Sequence, residues 1–285
     1  MIRITELRLA IDHAPEALEE AIVRFLKITP KDLISFEVFK RSYDARKNVA
    51  LAFIYTVDVS VKDEAQVLTR FAGSVHVRPS PDTRYHFIAK APQKMEQQPV
   101  VIGFGPCGIF AALLLAQMGF KPIVLERGKA VRERTQDTWG LWRKSTLNPE
   151  SNVQFGEGGA GTFSDGKLWS QVKDPKFYGR KVLHEFIKAG APEEILYVAK
   201  PHIGTFRLVG VVEKMRQEII SLGGEIRFSQ KVTGFDIEDQ QIRGVQLENG
   251  EHIVADQVIL ALGHSARDTF QALHDAGVYL EAKPF

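Results

Sequence analysis

Hydrophobic residues are spaced in more than one way along this chain, and the spacing changes near residue 98. In the first part, Leu18, Ile22 and Phe25 recur at helical intervals across residues 13–28, with Pro15 near the start, so a helix is expected there. A stretch of strand composition, "IRITELRLAI", precedes it. Two runs rich in β-branched and aromatic residues, at 33–45 and 48–61, follow it and read as a strand pair. A second helix at 62–72 and a last strand at 85–89 ("YHFIA") complete the order βαββαβ. That order predicts a ferredoxin-like α+β domain over residues 1–90. The polar, aperiodic stretch ending in "APQKMEQQ" supplies a linker at 91–98.

Beyond the linker the pattern is more continuously apolar. "PVVIGFG" is a short strand running straight into glycine, and "CGIFAALLLAQMGF" is apolar on nearly all sides, which predicts a fully buried helix. "KPIVLERG" is a second buried strand. Strand, tight glycine turn, helix and strand form the βαβ unit that opens a doubly wound α/β sheet. A helix is expected at 175–190, ended by Gly190. Another is expected at 206–224, where Leu208, Val211, Val212, Met215, Ile219 and Leu222 share a stripe and Gly223 and Gly224 end it. Three strand candidates follow, at 225–237, 242–248 and 252–263, with Asn249-Gly250 as a hairpin signal between the last two. Residues 99–285 therefore read as a Rossmann-like dinucleotide-binding domain with a β-meander.

Composition narrows the function. The chain has 285 residues, room for about two domains, and its 44% apolar and 25% charged residues are those of an ordinary globular protein. A net charge of +2 argues against a nucleic-acid partner, and the basic run "KRSYDARK" reads as a solvated hairpin. Cys107, the single cysteine, excludes an intramolecular disulfide and a C-x-x-C redox pair. No signal-peptide pattern and no run long enough to span a membrane is present, so a cytoplasmic location is expected. The same features predict no metal site and leave the oligomeric state open.

The chemistry concentrates in Gly103-Phe104-Gly105-Pro106-Cys107-Gly108, a G-x-G-x-x-G string between a strand and a helix, with Glu126 at the end of the next strand. Gly103 permits the tight turn, Gly105 lets the backbone approach a pyrophosphate, and Gly108 allows helix to pack on strand. The helix N-terminus offers amides and partial positive charge to phosphates. Glu126 would accept hydrogen bonds from ribose hydroxyls and repel a 2′-phosphate, which leaves FAD or NAD. Pro106 and Cys107 sit in the first helical turn, where a small residue under a pyrophosphate is the expected role and a redox thiol the alternative.

A second glycine-rich stretch, "VQFGEGGAGTFSDGKL", nearly matches G-x-x-x-x-G-K from Gly161 to Lys167, but Leu168 replaces the hydroxyl that would coordinate Mg²⁺. No buried strand leads into it, so a nucleotide P-loop is disfavoured. Backbone passing close to a flat, bulky group already held by the βαβ unit is the better reading.

Taken together, "GFGPCG", "VLERG", this long loop, "KPHIGT" and "LALGHSARDTF" make the chain resemble a bacterial family of FAD-dependent dehydrogenases of unassigned substrate, within the glutathione-reductase-like two-domain flavoproteins. The resemblance implies that Gly103, Gly105, Gly108, Glu126 and the adjacent Arg127 hold the ADP half of a non-covalent FAD. It further implies that the loop containing Phe155, Gly156, Gly158, Gly159, Gly161 and Thr162 lies along pyrophosphate and flavin, that the strand near Val232 meets adenine, and that Leu260–Gly263 closes near the cofactor. Leu262 stands where Thr is usual, and Phe206 follows "HIGT" where relatives carry Asp. Relatives are much longer, so the chain reads as the N-terminal portion of a larger protein. Lys167 and His264 are the candidates for a catalytic role, His202 a further one, and NAD(P)H is a candidate transient reductant. The expected function is an FAD-dependent oxidoreductase acting on a small organic substrate. A non-catalytic dinucleotide-binding fragment and an NAD-dependent dehydrogenase without flavin are the alternatives.

Overall fold

The structure is a computed structural model that describes residues 1–47 and 49–283. Asn48, where the second expected strand was to begin, and the last two residues of the expected 99–285 domain, Pro284 and Phe285, lie outside the described residues. Contacts divide the chain into two units. One groups Met1–Tyr85 with Leu168–His184 and Pro192–His202, and the other groups the remainder.

The first unit contains β1 (Ile2–Ala10), α1 (Ala17–Leu26), β2 (Leu33–Asp44), β3 (Ala52–Val61), α2 (Glu64–Arg70) and β4 (Val77–Pro79). The element order is the expected βαββαβ, and its antiparallel sheet runs β2-β3-β1-β4. Alternate residues of the central strands, among them Ile2, Ile4, Val57 and Val59, are fully buried, and α1 lays Leu18, Ile22 and Leu26 on them. Asp63 caps α2 by accepting from the Gln66 amide at 2.8 Å. The last strand falls earlier than expected. Val77 pairs with Ile4 and is buried, whereas Phe87 and Ile88 of "YHFIA" are exposed and lie outside any strand. Segments expected to belong to the 99–285 domain also group here. The Arg41 amide donates to the Tyr197 carbonyl at 2.6 Å, the Ala199 amide donates to the Arg41 carbonyl at 3.1 Å, and the Arg180 guanidinium lies 4.5 Å from the centre of the Phe39 ring. Spacing along the chain does not report such edge pairing.

The second unit is built on short buried strands. In chain order its elements are β5 (Val100–Ile102), α3 (Pro106–Gln117), β6 (Ile123–Glu126), α4 (Val131–Lys144), the end of α5 (Tyr178–Lys188), α6 (Thr205–Ser221), β7 (Glu225–Phe228), β8 (Val232–Glu238), β9 (Gln241–Leu247), β10 (His252–Val254), β11 (Val258–Leu260) and α7 (Arg267–Asp275). A parallel sheet runs β11-β5-β6-β7, in register from Val258↔Val100 and Val100↔Ile123 to Glu126↔Phe228. The chain leaves β5 in one direction through β6 and β7, then returns as β11 on β5's other side. The strand order therefore reverses at the carboxyl ends of β5 and β11, where open α/β sheets bind ligands. An antiparallel meander, β10-β9-β8, contributes Val232, Val245 and Leu247 to a shared core with Val100, Ile102 and Leu125.

Three expectations change here. The strand candidates at 225–237 and 252–263 each divide in two, the first at Ser229, whose φ of 55° breaks the extended run. Helix α3 buries only one face, through Gly108, Ile109, Ala112, Leu113 and Ala116, while Pro106 and Cys107 at its start are exposed. Helices α4 and α7 were not anticipated: α4 buries Arg134 and Thr138 beside Val131 and exposes Trp139 and Trp142, so no apolar stripe marks it, and α7 buries only Thr269 and Leu273. No helix among the described residues is long and apolar enough to cross a membrane.

Candidate functional site

β5 runs into Gly103 at φ 98°, where a Cβ would lie 2.4 Å from the Ala261 carbonyl oxygen. A Cβ at Gly108 would lie 1.9 Å from the Gly103 oxygen. Protein packing alone requires both glycines. Gly105 is different. Its φ of −74° suits any residue, and a Cβ there would meet nothing nearer than the Gly159 Cα at 3.7 Å. The space beside Gly105 is an open cleft, also lined by Gly103, Pro106, Cys107, Glu126, Arg127, Phe155, Gly156, Gly159, Val232, Gly263 and His264. Pro106 occupies the first helical position, where a missing N–H costs nothing. The following amides of α3 have no intrahelical acceptor, so the helix points donors and partial positive charge at the cleft. A pyrophosphate fits this cradle by charge and by the room left at Gly105.

Glu126 is buried at the end of β6. One carboxylate oxygen accepts from the Phe104 amide at 2.7 Å, and the other accepts from Gly128 at 2.8 Å and Gly156 at 2.9 Å. Three of about four lone-pair sites are thus filled by backbone. The side chain is first a clamp that joins the glycine turn to the glycine loop, with about one acceptor site left over. Beside it, Arg127 donates to Glu150 at 2.7 Å, makes two 2.8 Å bonds to Asp268, and lies 4.2 Å from the centre of the Phe155 ring. Burial pulls this guanidinium down, but the hydrogen bonds to Asp268 and Glu150 outweigh it and the net shift is upward. Asp268 is held well below the usual carboxylate range, chiefly by its hydrogen bonds from Arg127. Lys231 reaches the same carboxylates, 3.1 Å from Glu150 and 3.2 Å from Asp268.

The glycine loop wraps a side chain that the sequence reading did not single out. Arg134, on α4, is completely buried. Its Nε donates to the Asn152 carbonyl at 2.7 Å, Nη2 to Val153 at 2.7 Å, and Nη1 to Glu157 at 2.7 Å and Gly159 at 2.8 Å. Phe163 lies beneath the guanidinium, 4.8 Å from ring centre to Cζ. Burial lowers its pKa to about 10, against the favourable fields of Glu126 and Glu157. Glu157, also completely buried, accepts from the Val131 amide at 2.7 Å and from Arg216 at 3.0 Å. Its other oxygen has no hydrogen-bond partner among the described residues, and burial pushes its pKa up.

This geometry explains the loop's composition. A Cβ at Gly156 would lie 2.4 Å from Arg134 Cδ, and one at Gly158 would lie 2.0 Å from Thr162 Oγ1. Gly159 approaches the turn itself, where a Cβ would meet Gly105 Cα at 3.2 Å and Pro106 Cδ at 3.1 Å. The Gly158 amide ties the two together by donating to the Phe104 carbonyl at 2.8 Å. Gly158, Gly161 and Thr162 are not among the residues that line the cleft. Thr162 is buried and faces the Glu157 carbonyl and Arg134. Gly108 lies beneath the turn. Lys167 is absent from the lining as well, with its exposed side chain 3.4 Å from Asp165. His264 does border the cleft, its Nδ1 3.0 Å from Ser265 Oγ, whereas His202 groups with the other unit. Residues 161–167 follow no strand, and Ala160–Phe163 form a short 3₁₀ turn, unlike a P-loop. No sequence signal separates Arg134 from Arg132 and Arg143 in the same stretch; the glycines at 156, 158 and 159 mark only that something passes close to the loop.

A parallel sheet, a glycine turn at its switch point and a helix N-terminus facing an open cleft define a dinucleotide-binding α/β domain. Residues 97–281 match the pyridine nucleotide-disulphide oxidoreductase family, and the chain belongs to that family. Residues 1–60 match a domain of unknown function, DUF8436. An uncharacterized protein of Clostridium beijerinckii is 42% identical over 284 residues, covering 100% of this chain and 52% of that protein, so the chain spans about half of its relative's length. Among solved structures, THI4 of Thermovibrio ammonificans has a TM-score of 0.41 at 16% identity over 64% of each chain. L-amino acid deaminase from Proteus vulgaris has a TM-score of 0.40 at 16% identity, over 67% of this chain and 60% of that one. Both are weak similarities.

Proposed function

We propose that the chain is the dinucleotide-binding part of an FAD-dependent oxidoreductase acting on a small organic substrate, with FAD held non-covalently. The open space at Gly105 supports this reading best, because nothing in the protein itself demands a glycine there. In this reading the first-turn amides of α3, at Cys107 and Gly108, receive the pyrophosphate. Glu126 meets the ribose with its remaining acceptor capacity, and the backbone around Val232 borders the adenine. Phe155, Gly156 and Gly159 form the wall along the pyrophosphate, and Gly263 and His264 form the opposite rim. Bound flavin would supply hydride or electron transfer at its N5, with NAD(P)H as a candidate transient reductant. The single cysteine fits residence in the cytoplasm.

Absorption spectroscopy of purified protein tests the proposal. The protein should be yellow, and denaturation should release FAD into the supernatant. A colourless protein that binds NAD in its place would contradict it.

A further inference from the structure

We infer that Arg134 is a positioning residue for the dinucleotide. On this view the guanidinium folds the 152–162 loop into the wall that faces the cleft, and so sets cofactor affinity without touching the cofactor. The inference rests on the reading proposed above. Residues 150–159 contain no helix or strand, so backbone hydrogen bonding within an element does not shape them. Arg134 supplies what an element would. Its planar fork collects the carbonyls of Asn152, Val153, Glu157 and Gly159 within 2.8 Å, drawing both ends of a tight excursion onto one centre. Between those anchor points lie Phe155 and Gly156, and Gly159 is itself an anchor. All three line the cleft, while Arg134 does not.

Two further contacts hold the device in place. Gly156 carries no side chain where Arg134 Cδ passes, so the loop can close over the arginine's stem. The Gly156 amide also donates to Glu126 at 2.9 Å, which fixes the loop's height against the Gly103–Gly108 turn. The loop is thus gripped by a cation on four of its carbonyls and by a carboxylate on one amide, that of Gly156. Lysine cannot reproduce the cation's part, because one ammonium cannot meet four carbonyls in the guanidinium plane.

The test compares wild type with Arg134→Lys and Arg134→Ala, using FAD as the probe. Three quantities are read: FAD affinity by quenching of flavin fluorescence, hydrogen exchange of the 152–162 amides, and overall fold by circular dichroism. Folded variants should bind FAD roughly 10- to 100-fold more weakly, the range known for residues that orient metal ligands from behind. Their loop amides should exchange faster. Free guanidinium at millimolar concentration should restore affinity to Arg134→Ala, and an equal concentration of sodium chloride should not. Lost packing alone would show no such selectivity. If Arg134→Ala does not fold, Arg134→Lys decides. A folded variant with wild-type FAD affinity and wild-type exchange overturns the inference. If wild type itself binds no FAD, the proposed function fails. The exchange measurement then decides separately whether Arg134 shapes the loop, and unchanged exchange overturns that too.

Discussion

The turn at Gly103–Gly108 and the loop at Gly156–Gly166 are both dense in glycine, yet the glycines serve different neighbours. In the turn, two of three are forced by backbone crossing backbone, at Ala261 over Gly103 and at Gly103 over Gly108, and the third, Gly105, faces open space. In the loop, Gly156 and Gly158 are forced by the side chains of Arg134 and Thr162. Only Gly159 is small because the two regions touch. Glycine density therefore has several causes here: backbone crossing backbone at Gly103 and Gly108, the protein's own side chains at Gly156 and Gly158, contact of the two regions at Gly159, and open space at Gly105. Only the last is direct support for a cofactor.

Three substitutions sharpen this contrast. Gly108→Val should be the most damaging, because its Cβ would sit 1.9 Å from a carbonyl that cannot move without displacing β5. A loss of about 3 kcal/mol or more is expected, read as a lower urea midpoint for the second unit. Glu126→Gln comes next. Its amide group can accept through one oxygen only, and its NH₂ would face at least one of the three backbone donors now bound at 2.7–2.9 Å. It should cost about 2 kcal/mol and speed exchange of the Phe104 and Gly156 amides together. Exchange that rises at only one of these amides would show that Glu126 does not join turn to loop.

Asp268→Asn should have the smallest effect, at most about 1 kcal/mol, because the Asp268 side chain is 44% exposed and solvent screens the pair. The sign follows from the lowered pKa of Asp268 in the fold. The ionised form is the stabilised one, so the contribution is present above the ordinary value of 3.8 and disappears as pH falls below it. Wild type and variant should differ in urea midpoint at pH 7 and converge in acid. A difference that grows on acidification would refute the pairing.

How much could be read beforehand depended on how local the cause was. The turn was readable because strand, glycines, helix and strand-end acid lie within one βαβ unit, and each leaves a mark within about 30 residues. The helical stripe from Leu208 to Ile219 was readable for the same reason. What escaped depended on contacts between distant segments. The edge pairing of Arg41 with Val198 draws residues 192–202 toward the first unit although their composition belongs to the second. Val77 takes the last strand position because it can pair with Ile4 and bury, a competition that strand propensity in "YHFIA" does not register. The sequence marks Gly156 and Gly158 as room without naming an occupant; in the structure the space at Gly156 holds Arg134 and that at Gly158 holds Thr162 Oγ1.

The central claim is that Gly105 is reserved for a ligand while Gly156 is reserved for Arg134. Its most direct test compares Gly105→Ser with Gly156→Ala in urea unfolding and in FAD titration. At Gly105 the backbone has the extended geometry of a helix N-cap, where serine is favoured. Gly105→Ser should therefore unfold within about 0.5 kcal/mol of wild type, or be more stable, yet bind FAD at least about tenfold more weakly because its side chain fills the pyrophosphate's place. Gly156→Ala should lose about 2 kcal/mol even without cofactor, from a strained φ of 118° and a 2.4 Å approach to Arg134. A destabilised Gly105→Ser that keeps its FAD affinity, beside an undisturbed Gly156→Ala, would contradict the account.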